Sequence, residues 1–318
     1  MSLGLVFSPQ GSQVVGMGRQ LAERSAAARA IFEEADATLG WSVSGTSWEG
    51  PAERLSETRQ TQPCLLTASI SALRALEERV ALHPAEVAGH SVGEYAALVA
   101  AGVLEFGAAL RLVARRAALM TAAAADADGG MTAVIGLDRE TVERVVESAG
   151  RPGELVVAND NAPGQVVISG RADALVRAEG AMRAAGARRL IRLAVSGAFH
   201  SPLMADVAEG LGEAFESETW HDARVPVVSN VTAKPVTDAD RLRTLLAEQV
   251  RSPVEWVRSV RRMRGDGVDT IVELGSGAAL VGMVRRIAPD VRAAAVNDLA
   301  TLEEAVALVG SAAEAAVS

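Results

Sequence analysis

Residues 131 to 194 read MTAVIGLDRE TVERVVESAG RPGELVVAND NAPGQVVISG RADALVRAEG AMRAAGARRL IRLA. Short apolar, β-branched runs at Met131–Gly136, Glu154–Ala158, Gln165–Ser169 and Arg188–Ala194 predict strands. The longer stretches Arg139–Ser148 and Ala172–Ala185 have helical spacing. The resulting order, β-α-β-β-α-β, is the ferredoxin-like arrangement. A turn-rich break, Asp126-Ala127-Asp128-Gly129-Gly130, precedes it. Residues 129–194 are therefore expected to form a small domain inserted into a larger one built from 1–128 and 195–318, with a cleft for a ligand at the junction.

Outward from this insert, strands and helices mix in the way of an α/β layer architecture. Leu3–Phe7, Glu86–His90, Val225–Ser229, Val268–Glu273 and Ala293–Val296 are strand candidates. Gly16–Asp36, Ser56–Val80, Val92–Ala101, Phe106–Ala122, Pro202–Ser217, Arg241–Val250 and Leu302–Ala315 read as helices. No internal repeat is visible.

Composition excludes several function classes. The 318 residues carry 31 Lys+Arg against 40 Asp+Glu, a net charge of −9 that argues against general nucleic-acid binding. Lys234 is the one lysine and Cys64 the one cysteine, so there is no internal disulfide or thiolate cluster, and a reducing, cytoplasmic setting is expected. Neither a Walker loop nor a dinucleotide fingerprint is present, nor a metal-ligand spacing among His83, His90, His200 and His221. The start, MSLGLVF, does not read as a signal peptide, and no uncharged apolar run reaches the ~20 residues of a membrane span.

Gly89-His90-Ser91-Val92-Gly93 fits G-x-S-x-G, the strand–turn–helix that exposes a serine where a β-carbon on either glycine would clash. A chance motif in a glycine-rich chain is the competing reading. Serine needs a base. His90 is its immediate neighbour and should point away, His83 lies in a loop, and His221 sits among Glu218, Trp220 and Asp222. By elimination His200 is the best partner, although a structural histidine satisfies the same facts.

On the helix from Phe106, Leu112, Val113, Leu119 and Met120 fall in one arc with Ala109, and Arg116 lies at its middle, whereas Arg111 and Arg115 do not. A buried guanidinium needs an anion. That anion is either an internal Asp or Glu, or a substrate carboxylate held by arginine's two-pronged geometry. The loop Gln10-Gly11-Ser12-Gln13 is either an ordinary turn or a donor of a backbone N–H to an oxyanion, alongside that of Val92.

The chain resembles the malonyl-CoA:acyl carrier protein transacylases and the related acyltransferases of polyketide synthesis. The resemblance runs nearly end to end, through residues 7–13, 89–94, Arg116, 158–165, 197–201, 227–233, Glu248-Gln249 and 253–256. It implies a hydrolase-like parallel-sheet core carrying the ferredoxin-like insert. It also implies a ping-pong reaction, with Ser91 as nucleophile, His200 as base and the N–H groups of Gln10 and Val92 as oxyanion hole. Arg116 would hold the malonate carboxylate, Asn161 would help bind substrate, and Phe199 would crowd an α-methyl group. The histidine would be oriented by backbone carbonyls, one of them at Gln249. The implied substrates are malonyl-CoA and an acyl carrier protein, with coenzyme A as part of a substrate and no cofactor.

Neither nucleic acid nor membrane is expected as a partner, and the chain is read as a monomer. Arg258, Arg261, Arg262 and Arg264, or Arg183, Arg188, Arg189 and Arg192, are candidate carrier-docking patches, or else solvated faces. Ser8-Pro9 stands where the family has Pro-Gly, Ala117 where it has glycine, and Ser276 where proline is common. A polyketide or malonate-decarboxylase acyltransferase, or a thioester hydrolase, is the alternative reading.

Overall fold

The computed structural model describes residues 2–126, 128–195 and 197–314. Among them the chain forms ten strands: β1 (Leu3–Phe7), β2 (Pro84–Gly89), β3 (Gly129–Ile135), β4 (Leu155–Ala162), β5 (Gln165–Arg171), β6 (Arg189–Arg192), β7 (Val227–Val228), β8 (Pro235–Val236), β9 (Thr270–Leu274) and β10 (Arg292–Val296). Six make a sheet in the order β10-β9-β1-β2-β7-β8, parallel except for β8.

Strands of such a sheet are covered on both faces and therefore read as unbroken apolar runs. β1 is buried at every position, and its side chains divide by parity. Leu3, Leu5 and Phe7 join the larger core beneath helices Ala26–Leu39, Thr58–Glu77 and Phe106–Asp126. Val6 faces the opposite way, into a smaller cluster with Val260, Met263, Leu280 and Val284.

The second sheet runs β4-β5-β3-β6 and is antiparallel throughout. Helices Arg139–Ala149 and Ala172–Ala184 supply Val142, Val146, Leu175 and Met182 to its own core. Second, third, first, fourth is the strand order the βαββαβ pattern leads one to expect. β4 is tied to the segment before helix Trp256–Gly265, where Asp160 N–H donates to Val254 O (3.0 Å) and Val254 N–H to Ala158 O (2.8 Å).

Local differences from the sequence reading have local causes. The expected helix Gly16–Asp36 is two, Arg19–Arg24 and Ala26–Leu39, because Ser25 is extended (φ −113°) and its hydroxyl accepts from Ala28 N–H at 2.9 Å. A serine able to cap starts a new helix in preference to continuing the old one. Helices Trp256–Gly265 and Ala279–Ile287, unassigned from sequence, bury narrow stripes such as Val257, Val260 and Met263 under an arginine-rich outer face. The expected end of the last helix at Ala315 lies outside the described residues.

Candidate active site

The carboxyl edge of the large sheet is where an open parallel sheet presents its loops, and β1 and β2 end there side by side, Phe7 against Gly89. After Gly89 the chain turns through His90-Ser91-Val92 into helix Gly93–Ala100. A β-carbon on Gly89 would lie 2.0 Å from the Gly93 carbonyl, and one on Gly93 would lie 2.3 Å from Phe7 O. Both glycines are thus demanded by crowding. Ser91 itself is left-handed (φ 53°), as is His200 (φ 58°). A non-glycine residue held there costs about 1–3 kcal/mol, and such strain collects at functional sites.

Ser91 Oγ lies 2.8 Å from His200 Nε2. His200 Nδ1 faces two backbone carbonyls, Gln249 O at 2.9 Å and Ser252 O at 3.2 Å. Carbonyls only accept, so Nδ1 carries the proton and Nε2 offers its lone pair to the serine hydroxyl. Burial first, then the Arg116 charge, push the His200 pKa down to about 3, which keeps the ring neutral. His90 points away, as expected. Its Nε2 lies 2.8 Å from Asn161 Oδ1, its ring is 5.5 Å from that of Trp256, and burial lowers its pKa to about 4. His83 and His221 are exposed.

Arg116 is buried, 1% exposed, whereas Arg111 and Arg115 are exposed, in keeping with the helical wheel. Its Nη1 donates to Gln62 Oε1 (2.8 Å) and its Nη2 to Ser91 Oγ (3.0 Å) and Gln249 Oε1 (3.3 Å), while Nε has no partner. The Tyr95 ring centroid is 5.9 Å from its guanidinium carbon. Among the described residues no carboxylate forms an ion pair with it. Burial lowers its pKa, with Tyr95 and Glu94 opposing. Glu94 accepts from Gln249 Nε2 at 2.6 Å, and its buried carboxyl is pushed up to about 7.

A cleft of about 250 Å³ opens over the pair, with Gln10, His90, Ser91, Met120, Met131, Asn159, Leu193, Phe199 and His200 in its wall. β3 and the segment after β6 thus form one side and the β1 and β2 turns the other. Neither the Gln10 nor the Val92 N–H has a protein acceptor among the described residues. Asn161 is turned onto His90, and its neighbour Asn159 faces the cleft. Ser276 Oγ donates to Ser12 O (2.6 Å) and Ser8 Oγ to Glu273 Oε1 (3.0 Å), so two of the departures from the family pattern tie down the Gln10 loop.

Gln62 and Asn230 were not singled out from sequence. Gln62 is wholly buried on a helix that also buries Thr61, Thr67, Ser69 and Ser71, so a polar residue on its inner face was no signal in itself. Of the arginine patches, Arg262, Arg264, Arg183 and Arg192 are exposed and ion-paired with Asp266, Asp290 and Glu179. Among the described residues no cluster is placed to hold a metal ion, and no helix is long and apolar enough to cross a membrane.

A parallel sheet with a serine on the turn after its strand, hydrogen-bonded to a histidine, is the build of enzymes that pass acyl groups through a serine ester. The acyl transferase domain matches residues 5–305, and the chain belongs to that family. It is 41% identical over 305 residues, 96% of each chain, to the malonyl CoA-acyl carrier protein transacylase of Bacillus subtilis. The structure superposes with a TM-score of 0.93 on an acyl carrier protein S-malonyltransferase from Vibrio cholerae, at 38% identity, covering 96% of this chain and 100% of that one. The same score, at 40% identity and covering 96% and 99%, relates it to a malonyl-transacylase solved in complex with a type II PKS acyl-carrier protein.

Proposed function

We propose that this acyltransferase moves a malonyl group from coenzyme A to the phosphopantetheine thiol of an acyl carrier protein through an ester on Ser91. His200 Nε2 takes the Ser91 proton as Oγ attacks the thioester carbon, and the oxyanion is received by the Gln10 and Val92 N–H groups. The C–S bond breaks, and the coenzyme A thiolate leaves with the proton from His200. In the second half-reaction His200 takes the proton of the carrier thiol, the sulfur attacks the ester carbon, and the C–Oγ bond breaks as His200 returns the proton to Ser91 Oγ. The thioester supplies the leaving group, so this scheme uses no resident cofactor.

The observation that carries the malonyl assignment is Arg116, a buried cation whose Nη2 touches the Ser91 hydroxyl and which, among the described residues, forms no ion pair with a carboxylate. The free carboxylate of a malonyl ester brings the missing anion in a two-pronged geometry. Phe199, 5% exposed and in the cleft wall, crowds an α-substituent, which discriminates by about 1–3 kcal/mol per methylene. A division into 1–128 with 195–318 and an inserted 129–194 places the cleft between two units, and a cytoplasmic setting fits the substrates.

The test is acylation by a panel of acyl-CoAs, with the modified residue found by mass spectrometry. A malonyl ester on Ser91, stable until carrier protein is added, is the expected result. No ester on Ser91 from any acyl-CoA overturns the reading, and rapid loss of the ester to water makes the enzyme a hydrolase.

A further inference from the structure

Both backbone polar groups of Ser91 are gripped by side chains from far along the chain. Its N–H donates to Asn230 Oδ1 at 2.7 Å, and its carbonyl accepts from Gln249 Nε2 at 2.9 Å. The other end of the Asn230 amide, Nδ2, donates to Gly89 O at 2.6 Å, so one side chain bridges the residues on either side of His90. Asn230 is itself fixed. It is wholly buried, its carbonyl accepts from Glu255 N–H at 2.9 Å, and its N–H reaches Glu94 Oε2 at 3.4 Å. Both ends of its amide are engaged by the backbone of the serine turn, so it acts through Ser91 and not on substrate.

We propose that Asn230 is a positioning residue for the acyl transfer, its amide locking the Gly89–Ser91 turn in the left-handed conformation that aims Ser91 Oγ at His200 and Arg116. The proposal rests on Ser91 being the nucleophile. The chemistry of the bridge demands a neutral group with an acceptor at one end and a donor at the other, because a backbone N–H lies on one side and a carbonyl on the other. Alanine removes both contacts. It orphans a buried N–H and frees Ser91 to relax from its positive φ, which swings Oγ off the His200 lone pair.

Aspartate has the same shape but, when ionised, sets a carboxylate oxygen against Gly89 O. Protonated, it reproduces the amide, its hydroxyl donating to Gly89 and its carbonyl accepting from Ser91. Burial and the adjacent Glu94 carboxylate both raise the pKa of a carboxyl placed there. The other titratable or charged groups around the turn are Arg116, Tyr95, His90 and His200, and these are common to variant and wild type, as is Glu94.

Steady-state malonyl transfer by wild type, Asn230→Ala, Asn230→Asp and Ser91→Ala tests this. Asn230→Ala is expected to lower kcat ~10–100-fold with KM for malonyl-CoA within about threefold, the signature of misplaced reacting atoms in place of lost substrate binding. The ratio of Asn230→Asp to wild-type kcat is expected to rise as pH falls from about 8 to about 6, as the introduced carboxyl takes up its proton. An Asn230→Ala enzyme within twofold of wild type, or an Asn230→Asp ratio flat with pH, overturns the proposal. Where the alanine variant does not fold, the aspartate ratio decides alone. Full activity in Ser91→Ala instead overturns the reading of Ser91 itself.

Discussion

Where β4 meets the start of helix Trp256–Gly265, Arg139 is enclosed by carboxylates, whereas beside Ser91, among the described residues, Arg116 donates only to neutral acceptors. Arg139 makes a two-pronged contact with Glu255, 2.9 Å on one arm, and further bonds to Glu143 (2.7 Å) and Asp160 (3.4 Å). Arg116 has the amide oxygens of Gln62 and Gln249 and the Ser91 hydroxyl. The electrostatic consequences are opposite. Glu255 above all holds the Arg139 pKa up, against burial, while burial drives that of Arg116 down. A half-buried cation with its own carboxylates is part of the architecture. One held in place by neutral dipoles, and pressed against a serine hydroxyl, keeps its charge available to a ligand.

The largest effect expected from this contrast is at the cleft. Arg116→Ala should reduce kcat/KM for malonyl-CoA by ~100–1,000-fold, the scale of a lost two-pronged charge-assisted contact, while acetyl transfer falls far less. Parallel kinetics with malonyl- and acetyl-CoA check it, and equal losses for both would erase the distinction between the two arginines. Arg139→Ala should act on the other axis, lowering unfolding free energy by about 2–3 kcal/mol because it strands the Glu255 carboxylate, 9% exposed, without its main partner. Its malonyl-to-acetyl preference should stay within about twofold, and urea denaturation with kinetics on the same sample reads both.

Glu255→Gln, which keeps a hydrogen-bond acceptor for Arg139 and leaves Asp160 and Glu143 in place, should cost only about 1 kcal/mol by the same measurement. The smallest effect sharpens the electrostatic side. The Arg116 charge disfavours imidazolium, so Arg116→Gln should raise the His200 pKa from about 3 toward the ordinary value, though burial keeps it below that. The acid limb of residual acetyl transfer would then move to higher pH in the variant. An unmoved limb would mean that burial alone sets the histidine.

Much of this was legible in the chain. The βαββαβ order of 131–194 follows from local periodicity, and β1 from a short unbroken apolar run of the kind a strand covered on both faces shows. The two glycines flanking the serine turn are written one by one, because each answers a clash that any side chain would cause. Arg116 stood out since a charge at the centre of an apolar arc is rare without a reason. Ser25, by contrast, breaks an apparently continuous helix, because a capping hydrogen bond competes with periodicity and leaves the apolar pattern unchanged.

What the sequence could not disclose is how the pair is held. Gln62 lies 54 residues from Arg116 and Asn230 lies 139 from Ser91, while the Gln249 carbonyl that faces His200, 49 residues on, was expected only through the family resemblance and not from the residues themselves. The sequence by itself singled out the proposed nucleophile, base and carboxylate-binding cation, because a serine between two glycines, one histidine left by elimination and an arginine at the centre of an apolar arc are each visible as residue types at a spacing. The tertiary structure alone decided their orientation. Every residue has a carbonyl and an N–H, so a backbone acceptor leaves no mark in the sequence, and packing selects which one faces the ring.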